Sequence, residues 1–255
     1  MRPFLAALRF LTILPLPGTD RLSDADWGRA TAWYPAVGLL LGALLAGLAW
    51  GLGRLWPDGL SAALLLAAWV LLTGGLHLDG WADCCDALLA AVPPARRLEI
   101  LRDVHAGAFA LAGTVLLLLV KYAALASLAG PIRWPGLLLV PVLGRWAMTG
   151  AVVLYPYARP GPGLGRKART GSGRRQLAAA TATALLVTAL AAWLGLGWAA
   201  PVALAAAAAA ALLLAQWIRG RIGGLTGDAY GAICEFAEVA GLLALAALAY
   251  RGLLP

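Results

Sequence analysis

Seven long apolar runs separated by short basic segments dominate this chain, at about 33–52, 60–78, 107–130, 136–155, 177–194, 198–218 and 232–250. Each approaches the ~20 residues that a helix needs to cross a hydrocarbon core of ~30 Å. None alternates apolar and polar residues with period two, which excludes a transmembrane barrel. The sequence is 62% hydrophobic and only 13% charged, with a mean hydropathy of +0.82, so a soluble globular domain is excluded as well. The expected fold is all-α: a polytopic membrane helix bundle of about seven spans in one integral-membrane domain, residues 1–255. Residues 3–14 are too short to span and carry flanking Arg2 and Arg9, so they suit an interfacial or half-inserted helix. Pro15-Leu16-Pro17 follows them and no small-residue cleavage site is evident, so a cleaved signal peptide is not expected. Ala205–Ala211 reads as low-complexity helix filler.

The net charge of +8 would suggest nucleic acid in a soluble protein. Here the cations lie between the runs and no nucleic-acid partner is expected. With the N-terminus in the cytoplasm and seven alternating spans, Arg2, Arg9, Arg21, Arg29, Arg96, Arg97, Arg102, the basic loop 156–176, Arg219 and Arg221 all fall inside. Only Arg54, Arg133 and Arg251 fall outside, together with residue 255. That asymmetry follows the positive-inside rule and predicts a multi-pass protein of the cell inner membrane. Cys84, Cys85 and Cys234 are odd in number and match no zinc spacing, so they read as free thiols.

Acidic residues are scarce, 12 in all, and they gather. In Gly74-Gly75-Leu76-His77-Leu78-Asp79-Gly80-Trp81-Ala82-Asp83-Cys84-Cys85-Asp86, the three carboxylates are spaced i, i+4, i+7 and share one helix face. A second face carries Asp228, Glu235 and Glu238 behind the glycine-rich Gly223-Gly224-Leu225-Thr226-Gly227 turn. Carboxylates at membrane depth cost roughly 2.5–3.5 kcal/mol on insertion scales, so idle ones are not expected. Hard oxygen ligands without clustered His favour Mg²⁺, with Mn²⁺ as the alternative, over zinc. The metal set read from the sequence is Asp79, Asp83, Asp86, Asp103, Asp228, Glu235 and Glu238, all at the cytoplasmic side. Blander readings stay open for two of them: Asp228 and Asp103 as helix N-caps. Lys121 and Arg145 are cations within spans, suited either to a buried carboxylate or to a phosphate. Arg159, in the aromatic and glycine-rich Tyr155–Gly165 loop, suits an anionic, aromatic substrate such as a nucleotide. His77 and His105 are candidate general bases, or interfacial hydrogen-bonding residues. Acidic helices, metal and cations at one face are parts for phosphoryl transfer. The two acidic faces are therefore expected to converge on one cavity, with Lys121 or Arg145 pointing into it. A transporter would instead hold its charges near the midplane, often in inverted repeats, and none is visible.

At these residues the chain resembles the cobalamin synthase family, the adenosylcobinamide-GDP ribazoletransferases of vitamin B12 assembly. The resemblance runs through Phe10-Leu11-Thr12-Ile13-Leu14-Pro15-Leu16-Pro17, Tyr34-Pro35-Ala36-Val37-Gly38-Leu39-Leu40-Leu41-Gly42 and the Gly74–Asp86 segment, which is the most specific. It continues through Arg102-Asp103, Gly107, Lys121, Arg145, the stretch from Tyr157 to Gly165, Thr226-Gly227-Asp228, Glu235 and Glu238. Ile13 and His105 stand where the family usually has a cation, so no substrate-contact role is carried to them. Ala87 replaces the usual glycine after the third Asp. The resemblance implies Mg²⁺-dependent joining of adenosylcobinamide-GDP to α-ribazole or α-ribazole 5′-phosphate with release of GMP. It implies catalytic roles for Asp79, Asp83, Asp86, Asp228 and His77, and adds Arg102 and Gly227 to Lys121, Arg145 and Arg159 as expected substrate contacts. The carboxylate spacing is similar in style to that of the CDP-alcohol phosphotransferases, the alternative reading, but Cys84-Cys85 stands where that motif has Ala-Arg. The expected partners are these substrates and the bilayer; a homo-oligomer is compatible with the sequence.

Overall fold

The computed structural model describes residues 2–15, 22–128, 130–159, 161 and 163–253, without the side chain of residue 131. Leu16, Pro17, Arg21, Pro160, Pro162 and residue 255, which entered the readings above, lie outside them. The described chain is helical, with one isolated bridge between Tyr157 and Leu225. Among the described residues, six helices are long and apolar enough to cross a membrane, or seven if one bent pair counts as a span.

Helix α1 (Arg2–Leu11) buries Ala6, Ala7, Leu8 and Leu11. It is held by Phe10, whose ring meets Trp27 edge-on at 6.3 Å and stacks on Tyr34 at 6.0 Å. Helix α2 (Asp24–Ala30) starts in a capping box: Asp26 N donates to Ser23 Oγ, and Ser23 N donates to Asp26 Oδ2 at 2.9 Å. A 3₁₀ turn leads it into α3 (Tyr34–Leu52), so the first span reaches further toward the N-terminus than the apolar run alone.

The second apolar run is not one helix, contrary to the span expected over 60–78. It divides into α4 (Asp58–Leu72) and α5 (Leu76–Leu89), bent by 90°. Gly74 (φ 62°) and Gly75 (φ 69°) adopt the left-handed conformation that the bend requires and that side chains disfavour. Helix α6 (Pro94–Ile100) and then α7 (Ala108–Ser127) follow. Helix α8 (Arg133–Leu154) forms the axis of the bundle and is buried along most of its length. Gly38 and Gly42 of α3, spaced small-xxx-small, let α3 pack directly on it: a Cβ at either would lie 2.5 Å from a carbonyl oxygen of α8.

Helices α9 (Leu164–Gly171) and α10 (Arg174–Ala191) come next, and a π-helical turn over Ala192–Leu196 ends the fifth span. Helix α11 (Ala199–Ile222) buries Ala199, Ala203, Ala207 and Ala211, so the alanine-rich stretch is a packing surface. Helix α12 (Gly227–Tyr250) starts five residues before the seventh span expected at 232. The loop before α9 is tied to the turn before α12, since Leu225 N donates to Pro156 O at 2.9 Å and Ala158 N to Leu225 O at 2.8 Å.

Candidate active site

Helices α5 and α12 cross at glycines. A Cβ on Gly80 would lie 2.6 Å from the carbonyl oxygen of Asp228, and one on Gly231 would lie 3.1 Å from His77 Cα. This brings Asp79 and Asp83 of α5 beside Asp228 in the first turn of α12. Because backbone opposes backbone there, Gly80→Ala is expected to push the helices apart. We predict a cost of about 1–3 kcal/mol, read as a lower melting temperature together with lost turnover. A variant with wild-type melting and activity would show that the crossing tolerates a methyl group.

The crossing borders a cavity of about 250 Å³ that contains His77, Asp79, Arg159, Gly227 and Asp228 in its lining. Thr226, not Asp228, is the N-cap of α12, its hydroxyl accepting from Ala229 N. Asp228 is thereby left for other work. Its Oδ2 accepts from Arg159 Nη2 at 2.8 Å and from Thr226 Oγ1 at 3.3 Å. Arg159 also donates to Leu101 O at 2.7 Å, which anchors the guanidinium over the site, and its Nε is buried without a partner among the described residues. Asp79, Asp228 and Asp86 all add negative potential at the Asp83 carboxylate, while Arg159 opposes it. The two acidic faces thus meet in the cavity lining at Asp79 and Asp228, with Asp83 beside them but outside that lining.

The rest of the second acidic face turns away into the bundle. Lys121 Nζ donates to Glu235 Oε2 at 2.7 Å and to Glu238 Oε2, and Arg145 Nη1 donates to Glu238 Oε1. Lys121 also lies 4.2 Å above the Trp69 ring. Two cations and two carboxylates are buried together, and Arg145 and Glu238 have no exposed surface. Lys121, Arg145, Glu235 and Glu238 therefore meet one another rather than entering the cavity, which is the structural alternative kept open for the two cations.

His77 links this network to the site. Arg145 Nη2 lies 3.3 Å from His77 Nδ1. A guanidinium only donates, so Nδ1 accepts and the neutral ring carries its proton on Nε2. Among the described residues Nε2 is buried without a partner, in a residue that borders the cavity. In this arrangement it offers a donor, and the lone pair that a general base needs is directed at Arg145.

Three other expected residues lie apart from the cavity. Both Asp86 oxygens accept from the start of α7, from Gly107 N at 2.5 Å and Ala110 N at 2.8 Å. Asp86 thus caps α7 from a distant position in sequence, the service expected of Asp103. Asp103 is exposed and engaged with His105, whose hydrogen bonds hold its carboxyl below the usual carboxylate range. Arg102 is exposed too. Cys84, Cys85 and Cys234 are buried free thiols, and Cys84 and Cys85 line a separate apolar groove with Trp81. Among the described residues no group of three or more His, Cys, Asp or Glu side chains is already arranged to hold a metal ion. Tyr34 and Tyr230 also line the cavity but were given no role from the sequence. Tyr230, two residues past Asp228, was the available signal.

Comparison with known proteins bears on this geometry. A family model described as cobalamin-5-phosphate synthase matches residues 3–246. The adenosylcobinamide-GDP ribazoletransferase of Roseiflexus sp. (strain RS-1) is 40% identical over 95% of this chain and 88% of its own. Its namesake from Ectopseudomonas mendocina is 46% identical over 94% of this chain and 96% of its own. Another, from Pseudomonas savastanoi pv. phaseolicola, is 44% identical over 97% of this chain and its full length. No solved structure matches.

Proposed function

The chain belongs to the cobalamin-5-phosphate synthase family, and from that premise we propose that it is an adenosylcobinamide-GDP ribazoletransferase of cobalamin synthesis. The observation that carries this reading is the one cavity where the Asp79 and Asp228 carboxylates, the Arg159 guanidinium and the unpartnered His77 Nε2 meet. In the reaction, the ribose 3′-hydroxyl of α-ribazole, or of its 5′-phosphate, attacks the phosphorus on the cobinamide side of the diphosphate. The new P–O bond joins the nucleoside, the P–O bond to GMP breaks, and the hydroxyl proton is released.

Arg159 and His77 Nε2 supply donors to phosphate oxygens, as preorganised donors do where charge develops. Asp79, Asp83 and Asp228 are the carboxylates suited to hold Mg²⁺, or Mn²⁺ in its place. All three offer hard oxygens, and Arg159 is a single cation against several carboxylates. Magnesium ordinarily takes one or two protein carboxylates and completes its shell with water and substrate phosphate, so a set left open by the protein fits it. When bound, the ion neutralises charge on the attacking and leaving oxygens. The deciding experiment is GMP release from adenosylcobinamide-GDP and α-ribazole by purified protein, with and without Mg²⁺. No release under either condition rejects the assignment, and equal release in both rejects the metal.

The positive-inside bias puts this site on the cytoplasmic side of the inner membrane. The reporter for that orientation is Thr170→Cys on α9, in a background without Cys84, Cys85 and Cys234. Thr170 is exposed, whereas the neighbouring Ser172 is partly buried against Gly28 and Ala168. Labelling is expected only after the membrane is opened. Labelling of intact spheroplasts by an impermeant maleimide would reverse the topology.

A further inference from the structure

Resting on that reading, we infer that this small cavity is the site of the nucleoside acceptor, and that the corrinoid substrate stays outside it and reaches in with its diphosphate alone. Its lining falls into two groups of side chains. Asp79, Arg159 and Asp228 include the Arg159–Asp228 ion pair and suit phosphate and metal. Phe10, Tyr34, Met148, Val152 and Tyr230 are flat or apolar side chains brought together from α1, α3, α8 and α12. Phe10 stacks on Tyr34 at 6.0 Å, and the Tyr157 and Tyr230 rings stand 6.3 Å apart. Aromatic faces of this kind hold a flat heteroaromatic base by stacking and burial.

Size separates the two substrates. About 250 Å³ lies at the small end of ligand pockets, which run to roughly 300–1,000 Å³ for drug-sized molecules. A ribonucleoside with a bicyclic base is of that order. A corrin macrocycle carrying a nucleoside diphosphate is several times larger and cannot be enclosed.

Polar chemistry agrees. Among the described residues the Tyr230 hydroxyl is buried without a partner, in a residue only 4% exposed, and so is His77 Nε2, in a residue 1% exposed. Both residues border the cavity, Tyr230 among the apolar side chains and His77 beside Asp79. Buried polar groups are rarely left unpaired, so each is suited to a polar atom of a bound ligand. A nucleoside with its base on the aromatic wall and its ribose toward Asp79 supplies the partner for Tyr230 and leaves His77 Nε2 to a phosphate oxygen. It also aims a ribose hydroxyl at the charged group, where the diphosphate arrives.

Tyr230→Phe removes the hydroxyl and keeps the ring. Met148→Trp crowds the apolar group. Calorimetric titration of the detergent-solubilised full chain with α-ribazole, and separately with adenosylcobinamide-GDP, reads binding without turnover. Tyr230→Phe is expected to weaken α-ribazole about tenfold and Met148→Trp to abolish its binding, with adenosylcobinamide-GDP affinity kept within about twofold in Tyr230→Phe. If Met148→Trp fails to fold, Tyr230→Phe decides alone. An active wild-type enzyme whose Tyr230→Phe variant binds α-ribazole normally, or loses adenosylcobinamide-GDP instead, overturns this inference and leaves the ribazoletransferase reading intact. A wild-type protein that neither binds α-ribazole nor releases GMP overturns both.

Discussion

Asp228→Asn is expected to lower turnover by about 10²–10³-fold, the usual loss when one charge-stabilising group is removed from a reacting centre, while the protein still inserts and folds. The structure separates the two effects. Thr226 caps α12, so the helix does not depend on the Asp228 charge. An amide at Asp228 still accepts from Arg159 and Thr226, the two bonds that now hold Oδ2. What disappears is a negative charge among the cavity groups proposed to hold metal and diphosphate. Asp79→Asn and Asp83→Asn should behave alike. Asp86→Asn serves as the contrast, because both its oxygens already accept backbone N–H groups of α7. Replacing one acceptor by an amide leaves a clash there, and the expected loss is of melting temperature more than of Mg²⁺-dependent rate. GMP release and size-exclusion profiles measured across the four variants decide the matter. An Asp228→Asn enzyme with wild-type rate and Mg²⁺ dependence would remove Asp228 from the mechanism.

The second large effect is on stability. Lys121→Met is expected to cost about 3–5 kcal/mol, because removing one partner of a buried ion pair strands the other. Lys121 is 1% exposed and holds both Glu235 and Glu238; without it, Arg145 is left with two carboxylates. Adding Glu235→Gln to Lys121→Met restores charge balance around the remaining Arg145–Glu238 pair. The double variant should recover much of the lost stability, a coupling that a double-mutant cycle measures directly. Thermal unfolding in detergent provides the readout. A Lys121→Met protein that melts like the wild type yet binds adenosylcobinamide-GDP weakly would return Lys121 to the substrate-contact role read from the sequence.

The same pair of results bears on why this network is present at all. His77 depends on Arg145 for its tautomer, and Arg145 depends on Glu238 for its charge balance. Buried cations and carboxylates outside the cavity lining thus reach, through Arg145, the imidazole that borders it.

The sequence alone determined the all-α membrane architecture, because a backbone in lipid satisfies its hydrogen bonds only as a helix or a closed barrel, and period-two alternation is missing. It also determined that Asp79 and Asp83 share a face, since that relation depends only on helical pitch. Tertiary structure decided the rest. The two glycines at 74 and 75 were visible, but the 90° direction they give to α5 depends on the helices it packs against. Lys121 finds its carboxylates 114 and 117 residues away on α12, and Asp86 finds the end of α7, pairings that follow from which helices are neighbours. Glu235 and Glu238 lie about two and three turns along α12 from Asp228, so their place in the ion network rather than the cavity was set by where α7 and α8 cross α12. The aromatic wall draws Phe10, Tyr34 and Tyr230 from separate helices with no spacing in common. Local pitch fixes which side chains lie on one face of a helix; only the packing of helices fixes what that face meets.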